Sequence, residues 1–397
     1  MHAHHPERQV EASHAVTDVR RLSGPVADEL FVLCRPAGIG DAAAHAEAVY
    51  RALGDALAAE GLGIEALVAE TVFCRRVGDH GRAARAARSR VLGNAAHPVT
   101  TVIGQPPLDG RADLEIAAVA VRPLSRDASM SEVRRPTGCS CEAPDVQARI
   151  VRLGDERRLY TGNIHGSGRD PFAEAYAMFR VAEDLLADAG MRFTDVIRTW
   201  IHVRDIDRNY DALNSARREF YRDRGIERLP ASTGVQGIPF PAAHEFSLGL
   251  IAVQTPRPLD VTLMSTPWLN EAWSYGADFS RGLRVVDANK VALYVSGTAS
   301  VDEAGRTVHV GDFEAQANRM LHNIASLLDR QGATFESLVS GVTYLKHPGD
   351  APALRAMLRA RGFDRFPCAL VEAPLCRPEL LCEAEVLAVL PLTPGEA

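Results

Sequence analysis

No run of about 18 apolar residues occurs in this chain, so no membrane-spanning helix is expected. The polar, His-rich start carries no apolar signal core and reads as a disordered leader over residues 1–28. His2, His4 and His5 are read as part of that leader rather than as metal ligands. A basic surplus is also missing. The formal net charge is −7, which argues against nucleic acid as a partner. An anionic ligand must then be drawn in by a local arginine cluster, against the field of the whole molecule. Seven cysteines (34, 74, 139, 141, 368, 376 and 382) form an odd set without framework spacing, so a reducing cytoplasm is the expected compartment. Cys139 and Cys141 form a lone C-x-C with no second ligand pair in sequence, and no structural zinc is expected. Gly38-Ile39-Gly40 lacks the third glycine and the strand-borne acid of a dinucleotide site. His202, His309 and His322 stand at no ligand spacing. No cofactor and no metal are therefore expected.

What the chain does contain is repetition. At 397 residues it is too long for one ordinary core, and its 46% apolar and 24% charged composition is that of a globular protein. AAHAEAVYRALGDALAAEGLGIEALVAETVFCRRV, PFAEAYAMFRVAEDLLADAGMRFTDVIRTWIHVRDI and DFEAQANRMLHNIASLLDRQGATFESLVSGVTYLKHP share one plan. Each is an amphipathic helix of about 17 residues closed by a glycine (Gly61, Gly190, Gly332), followed by a β-rich strand. A shorter helix follows in each copy, over about Ala83 to Leu92, Tyr210 to Asp223 and Ala351 to Arg361, and then a pair of strands. Copies two and three also open on hairpins. The order β-β-α-β-α-β-β predicts an α+β fold of three tandem units, helices packed on one face of mixed sheets. The units are expected at 29–122, 145–255 and 268–392. Residues 122–145 and 253–268 are read as linkers too short to be free tethers.

This pattern resembles the RidA/YjgF family, whose chorismate-mutase-like fold assembles as trimers with clefts between neighbouring units. The segment RPELLCEAEV in copy three is similar to that family's arginine and glutamate positions, here Arg377 and Glu383. Over Tyr160 to Val389 the chain resembles the chorismatases, enzymes that hydrolyse chorismate and carry two or more such units. The linked marks are LYVSGTAS, RTVHVGD, CRPELLCEAE, YDALNSAR and LPASTG.

The resemblance implies a pseudo-trimer within one chain, as a monomer or a small homo-oligomer. It makes Glu383 the catalytic glutamate and Tyr210, Arg217 and Arg281 substrate-binding residues, with Tyr275 beside them. Gly297 and Cys376 match the two positions that differ between product subtypes, and their combination resembles members releasing 3-hydroxybenzoate. A tyrosine expected just upstream of Tyr275-Gly276 is replaced by Glu271 or Trp273, a departure that touches the substrate contacts.

The residue types suit that chemistry. Chorismate is a dianion, and two separated arginines grip two carboxylates better than lysines do. Tyr210 and Arg217 are seven apart and share a helix face. The competing reading has that face paired in solvent with Glu219 or Asp223. Cleaving an enol ether needs a carboxylic acid still protonated near neutrality, which burial promotes. Strand alternation aims Glu383 and Glu385 to one face, where like charges raise at least one pKa. Solvent-facing glutamates are the alternative. Cys376 has no histidine near it in sequence (His347 reaches it only through the fold), so a steric and polar role is favoured over covalent catalysis. Gly297 either makes room in the pocket or is a bulge glycine. Lys346 either helps with a carboxylate or covers the sheet edge.

Glu383 corresponds to Glu115 in copy one and Ser247 in copy two. Copy one has Arg111 as well but no SGTAS hairpin, so one complete site per chain is expected. The expected reaction is chorismate to 3-hydroxybenzoate, with 4-hydroxybenzoate as a further product, plus pyruvate. The alternatives are an enamine/imine deaminase of the RidA type, using Arg377, and a non-catalytic metabolite-binding module.

Overall fold

Three aspartates start the three long helices in the same way. The side chains of Asp41, Asp170 and Asp312 accept the backbone N–H of Ala44, Ala173 and Ala315 at 2.9, 2.8 and 3.0 Å. Each cap satisfies an orphan donor and contributes about 1 kcal/mol. At the other end Gly61, Gly190 and Gly332 adopt φ of +69°, +69° and +73°, the left-handed conformation that stops a helix. The computed structural model describes residues 8–12, 15–93, 98–125 and 127–393, without the side chains of residues 8–12, 274 and 275. His2, His4 and His5 lie outside the described residues.

The first unit runs β1 (Arg8–Ala12), β2 (Ala15–Ser23), β3 (Ala27–Pro36), α1 (Ala42–Ala59), β4 (Leu67–Cys74), α2 (Val77–Val91), β5 (Val99–Gly104) and β6 (Leu114–Pro123). The second runs β7 (Ser129–Pro136), β8 (Asp145–Leu153), β9 (Glu156–Ile164), α3 (Pro171–Asp188), β10 (Val196–Val203), α4 (Ile206–Asp223), β11 (Ala231–Gln236), β12 (Ile238–Pro239) and β13 (Phe246–Gln254). The third runs β14 (Asp260–Leu263), β15 (Gly282–Val286), β16 (Val291–Ala299), α5 (Phe313–Asp329), β17 (Leu338–Leu345), α6 (Ala351–Ala360), β18 (Cys368–Glu372) and β19 (Cys382–Leu390).

The sheets are ordered β1-β2-β3-β6-β4-β5-β12, β11-β10-β13-β9-β8-β7 and β14-β15-β16-β19-β17-β18. The second helix of each unit, α2, α4 or α6, is a crossover that makes β4/β5, β10/β11 and β17/β18 parallel, while the other strand pairs are antiparallel. The fold is α+β, three similar units in tandem.

Three expectations need correction. Residues 15–23 are not leader: β2 pairs with β3 over nine residues. Residues 129–136, read as linker, pair with β8 along their whole length, and residues 260–263 pair with β15. Each sheet thus gains an edge strand that the expected unit boundaries leave out. β7 and β14 are polar because an edge strand on a half-covered sheet has little apolar surface to hide, so alternation carries no hydrophobic signal. β2, in contrast, lies between β1 and β3 and buries Ala15, Val19 and Leu22. Helices α2 and α4 also begin earlier than expected, at Val77 and Ile206.

Each long helix buries its apolar stripe on its own sheet, as with Leu53 and Leu57 of α1, Phe179 and Leu186 of α3, and Leu321 and Ile324 of α5. The opposite sheet faces pack on one another. Ile197 and Ala231 of the second unit meet Leu283 and Tyr294 of the third, while Leu22 and Phe31 of the first meet Val339 and Val389. At the meeting point lies a buried ionic cluster. Arg158 reaches Glu29 at 2.7 Å and Asp287 at 2.8 Å and also pairs with Glu156, while Lys290 pairs with Glu29 and lies 3.3 Å from Asp287. Burial opposes ionisation of Glu29, but Lys290 and Arg158 outweigh it and hold that carboxyl at about 2.

Removing one cation from a fully buried cluster leaves an uncompensated charge. Lys290→Met is expected to cost about 3 kcal/mol or more, read from urea unfolding midpoints. The folded pKa of Glu29 lies below its ordinary value, so its stabilising contribution is present above pH 4.5 and is lost as pH falls toward about 2. The variant should show a weaker dependence over that window.

Candidate active site

The second and third units join along β11 and β16. The backbone N–H of Ser232 donates to Ser296 Oγ at 2.8 Å, and that of Gly297 to Thr233 Oγ1 at 3.0 Å. Ala231 bridges Ser280, whose hydroxyl donates to Leu229 O at 2.6 Å. Above this seam opens a cavity of about 210 Å3, walled by α4 and β11 on one side and by β16, β19 and the segments before β15 and β19 on the other. Tyr210, Arg217, Arg281, Gly297, Cys376, Arg377 and Glu383 all line it. The side chain of Tyr275 lies outside the described residues. Its backbone ends a short turn at Gly276 (φ +88°), which reaches the cavity wall.

Glu383 sits on β19 between Tyr344 of β17 and Ala299 of β16 and is only 4% exposed. Burial, reinforced by the Glu385 charge two residues on, pushes its carboxyl up to about 8 despite the opposing pull of Arg281, Arg377 and Arg198. The group is thus a neutral acid at pH 7 facing cationic neighbours. Solvent-facing glutamates are ruled out here. Glu385 is held by unit two, accepting from Arg198 Nη2 and Trp200 Nε1, each at 2.6 Å.

The two arginines arrive from different units. Arg217 on α4 is 3% exposed and donates to Asn214 Oδ1 at 2.9 Å, while its Nε has no hydrogen-bond partner among the described residues. It does not pair with Glu219 or Asp223, so the solvent-paired reading of this helix face fails. Arg281 is 4% exposed, and its Nε donates to Asn270 O at 3.3 Å. Both guanidinium groups stand over the Phe279 ring, at 5.9 and 5.6 Å from its centroid. Arg377 is fixed on the hairpin after β16 through Gly305 O at 2.6 Å.

Cys376 is a thiol. Burial, with the nearby Glu383 charge, pushes it up to about 12 against Arg377 and a hydrogen bond from Tyr210. Tyr210 is raised in turn, chiefly by burial and by Cys376. No histidine lines the cavity, so the thiol has no base beside it. At Gly297 both sequence readings hold. The β16/β19 register shifts between Val295 and Thr298, a bulge, and a Cβ on Gly297 would sit 2.0 Å from Glu383 Oε1. The missing side chain is the space the Glu383 carboxyl occupies.

Phe279, Asn214, Thr233 and Arg198 escaped the sequence reading. Asn214 stands four residues after Tyr210 and three before Arg217, a spacing that would have revealed it. Phe279 lies inside the DFSRG segment that supplied Arg281. Glu271 and Trp273 are not in the cavity wall: Glu271 accepts the Arg281 backbone N–H at 3.0 Å, and Trp273 is 45% exposed. Lys346 bonds Pro378 O and covers the loop before β19. A second cavity, of about 180 Å3, lies where the three sheets face one another. Its charged groups, among them Arg158, Lys290, Arg198 and Glu385, are already paired within the protein. None of the expected site residues reaches it.

Residues 276–390 match a family model described as Endoribonuclease L-PSP, the RidA/YjgF type, which covers the third unit. A crystal structure of a chorismatase aligns over 82% of this chain and 93% of its own, at 18% identity and a TM-score of 0.58. The chain has the chorismatase fold. The 3-aminoacrylate deaminase RutC of Acinetobacter baylyi is 29% identical over 97 residues, 24% of this chain and 77% of that one. No helix among the described residues is long and apolar enough to cross a membrane.

Ionisation of Glu383 is disfavoured by folding. Its folded pKa near 8 exceeds the ordinary 4.5, so its own contribution to stability is full below pH 4.5 and is lost progressively as pH rises to about 8. Glu383→Gln has no such group to ionise. Its urea midpoint should gain on the wild type between those limits by the equivalent of a few kcal/mol, and no further above pH 8. Parallel curves for the two proteins would mean that Glu383 is not the buried acid described.

Proposed function

We propose that the chain is a chorismatase, converting chorismate to 3-hydroxybenzoate and pyruvate, with 4-hydroxybenzoate as a minor product. The observation that carries this reading is the buried carboxyl of Glu383, in a cavity lined by guanidinium groups from two units. Arg217 and Arg281 take the two carboxylates of the dianion, and Phe279 between them gives the ring a flat neighbour. Glu383 delivers its proton to the side-chain methylene, creating an oxocarbenium centre at the ether carbon. Water adds there, the hemiketal collapses to pyruvate, and the ring keeps a vicinal diol. Loss of the 4-hydroxyl as water then gives 3-hydroxybenzoate, and loss of the 3-hydroxyl gives the 4-isomer. One water enters and one leaves, so the atoms balance. The Glu383 carboxylate recovers its proton from the attacking water. Cys376 and Gly297, beside the carboxyl, bias which hydroxyl departs. The cavity is walled by one chain, so a monomer suffices.

Incubation with chorismate, followed by chromatography of the aromatic acids and a pyruvate assay, tests this directly. Glu383→Gln should lower kcat by on the order of 100- to 10,000-fold. For the wild type, kcat/KM should fall as pH rises through about 8, where the acid form of Glu383 is lost. Cys376→Ala should alter the ratio of the two hydroxybenzoates, and an unchanged ratio removes that role. Gly297→Ala displaces the carboxyl and should cost about 100-fold in kcat. Absence of pyruvate from the wild type rejects the proposal. Turnover of 3-aminoacrylate instead would move the assignment to the deaminases.

A further inference from the structure

Cys139 and Cys141 have no second ligand pair in sequence, but the fold supplies one. The loop between β7 and β8 carries both cysteines, His165 follows β9, and His244 precedes β13. The two sulfurs and the two imidazoles offer four donor atoms that all lie within 4.8 Å of one another. Cys141 Sγ is 3.4 Å from His165 Nε2, and Cys139 Sγ is 3.6 Å from His244 Nε2. A tetrahedral zinc, with bonds of about 2.3 Å to sulfur and about 2.05 Å to nitrogen, separates neighbouring S and N donors by about 3.6 Å. The side chains stand at that spacing already.

The surroundings orient the donors as a metal site requires. His165 Nδ1 faces Asn163 O at 3.1 Å, and His244 Nδ1 lies 3.6 Å from the Glu174 carboxylate. With each Nδ1 proton turned outward to an acceptor, each Nε2 lone pair points inward. The Cys141 backbone N–H donates to Cys139 Sγ at 3.2 Å, a bond that favours a thiolate. Both histidines are buried and both cysteines half-buried. None of the four touches the cavity at the β11/β16 seam.

We propose that Cys139, Cys141, His165 and His244 bind one zinc ion as a closed structural site. Two thiolates and two neutral imidazoles suit zinc, and exclude the hard, oxygen-seeking magnesium and calcium. Four protein ligands leave no position for substrate, so the role is to fix structure. Binding converts two thiols to thiolates and releases up to two protons per ion. The clipped loop is the one that docks on the first unit. Ala143 and Ala242 pack against that unit's core, and Glu142 lies 3.7 Å from Arg82. The metal therefore pins the seam between units one and two.

Untagged full-length protein, purified with thiols reduced, should contain one zinc per chain by mass spectrometry of the metal. Cobalt(II) added to the metal-free protein should give the intense visible bands of tetrahedral coordination and a thiolate charge-transfer band. Cys139→Ser/Cys141→Ser should lose both signals and melt at a lower temperature. His2→Ala/His4→Ala/His5→Ala should keep both signals. Glu174→Gln should weaken metal affinity on the order of 10- to 100-fold. Zinc that disappears with the N-terminal histidines, or a wild type holding no more metal than the double serine variant, overturns the site. A Cys139–Cys141 disulfide in reduced preparations, seen in the intact mass, overturns it as well.

Discussion

The buried cluster around Arg158 fixes how three separately cored units sit together. Unit one supplies Glu29, unit two Arg158 and Glu156, and unit three Asp287 and Lys290. Apolar clusters between sheets supply most of the attraction, but such surfaces slide at little cost. Charges out of water do not. A shift of one residue would strand at least one of them, at several kcal/mol. Asn289 extends the same lock: its carbonyl accepts the N–H groups of Val26 and Ala27, and its amide donates to Glu29 at 2.9 Å. Gly24 is required there, since a Cβ would lie 2.1 Å from Asn289 Oδ1. With that register set, β11 meets β16 and the cavity over Glu383 forms.

Threefold repetition gives three comparable seams, yet only one gathers the chemistry. Glu383 lies opposite Tyr344, Glu115 opposite Phe73, and Ser247 opposite His202, so the three positions are structurally equivalent. Glu115 is buried like its counterpart, and burial raises it to about 7 against Arg35 and Arg355. Arg111, however, is exposed and paired with Asp109, so copy one presents an acid without the matching cation. Copy two has a serine and no acid at all. Burial of the strand was kept in every copy, whereas the cationic wall was kept in one.

The helices and their glycine stops were legible because amphipathic period and terminal glycines are local signals. Seven of the eight site residues named from sequence line one cavity, the side chain of Tyr275 lying outside the described residues, and the repeat alignment correctly paired Glu383 with Glu115 and Ser247. What escaped was set by tertiary contact. Strands β7 and β14 are polar edge strands whose partners, not their own residues, make them strands. Trp200 and Arg198 matter only because Glu385 of another unit lies against them. The Cys139–Cys141 pair looked incomplete because its two histidines lie 24 and 105 residues away in the chain, a separation that spacing rules do not span.

Three guanidinium groups near one carboxyl would ordinarily make it a strong acid, and here they do not. Desolvation is the largest influence on Glu383, and the neighbouring Glu385 adds to it. Glu385 in turn is held by the second unit, where Arg198 and Trp200 on one strand donate to both of its oxygens. Arg198 therefore acts in two directions. It holds the charge that keeps Glu383 protonated, and through Nη2 it also donates to Thr233 Oγ1 at 2.7 Å, the atom that accepts the Gly297 N–H. One side chain ties the acidity of the carboxyl to the bulge that makes room for it. The surroundings of Glu383 are thus set across the interface, since the third unit supplies Glu383 and Glu385 and the second supplies the groups that hold Glu385 in place.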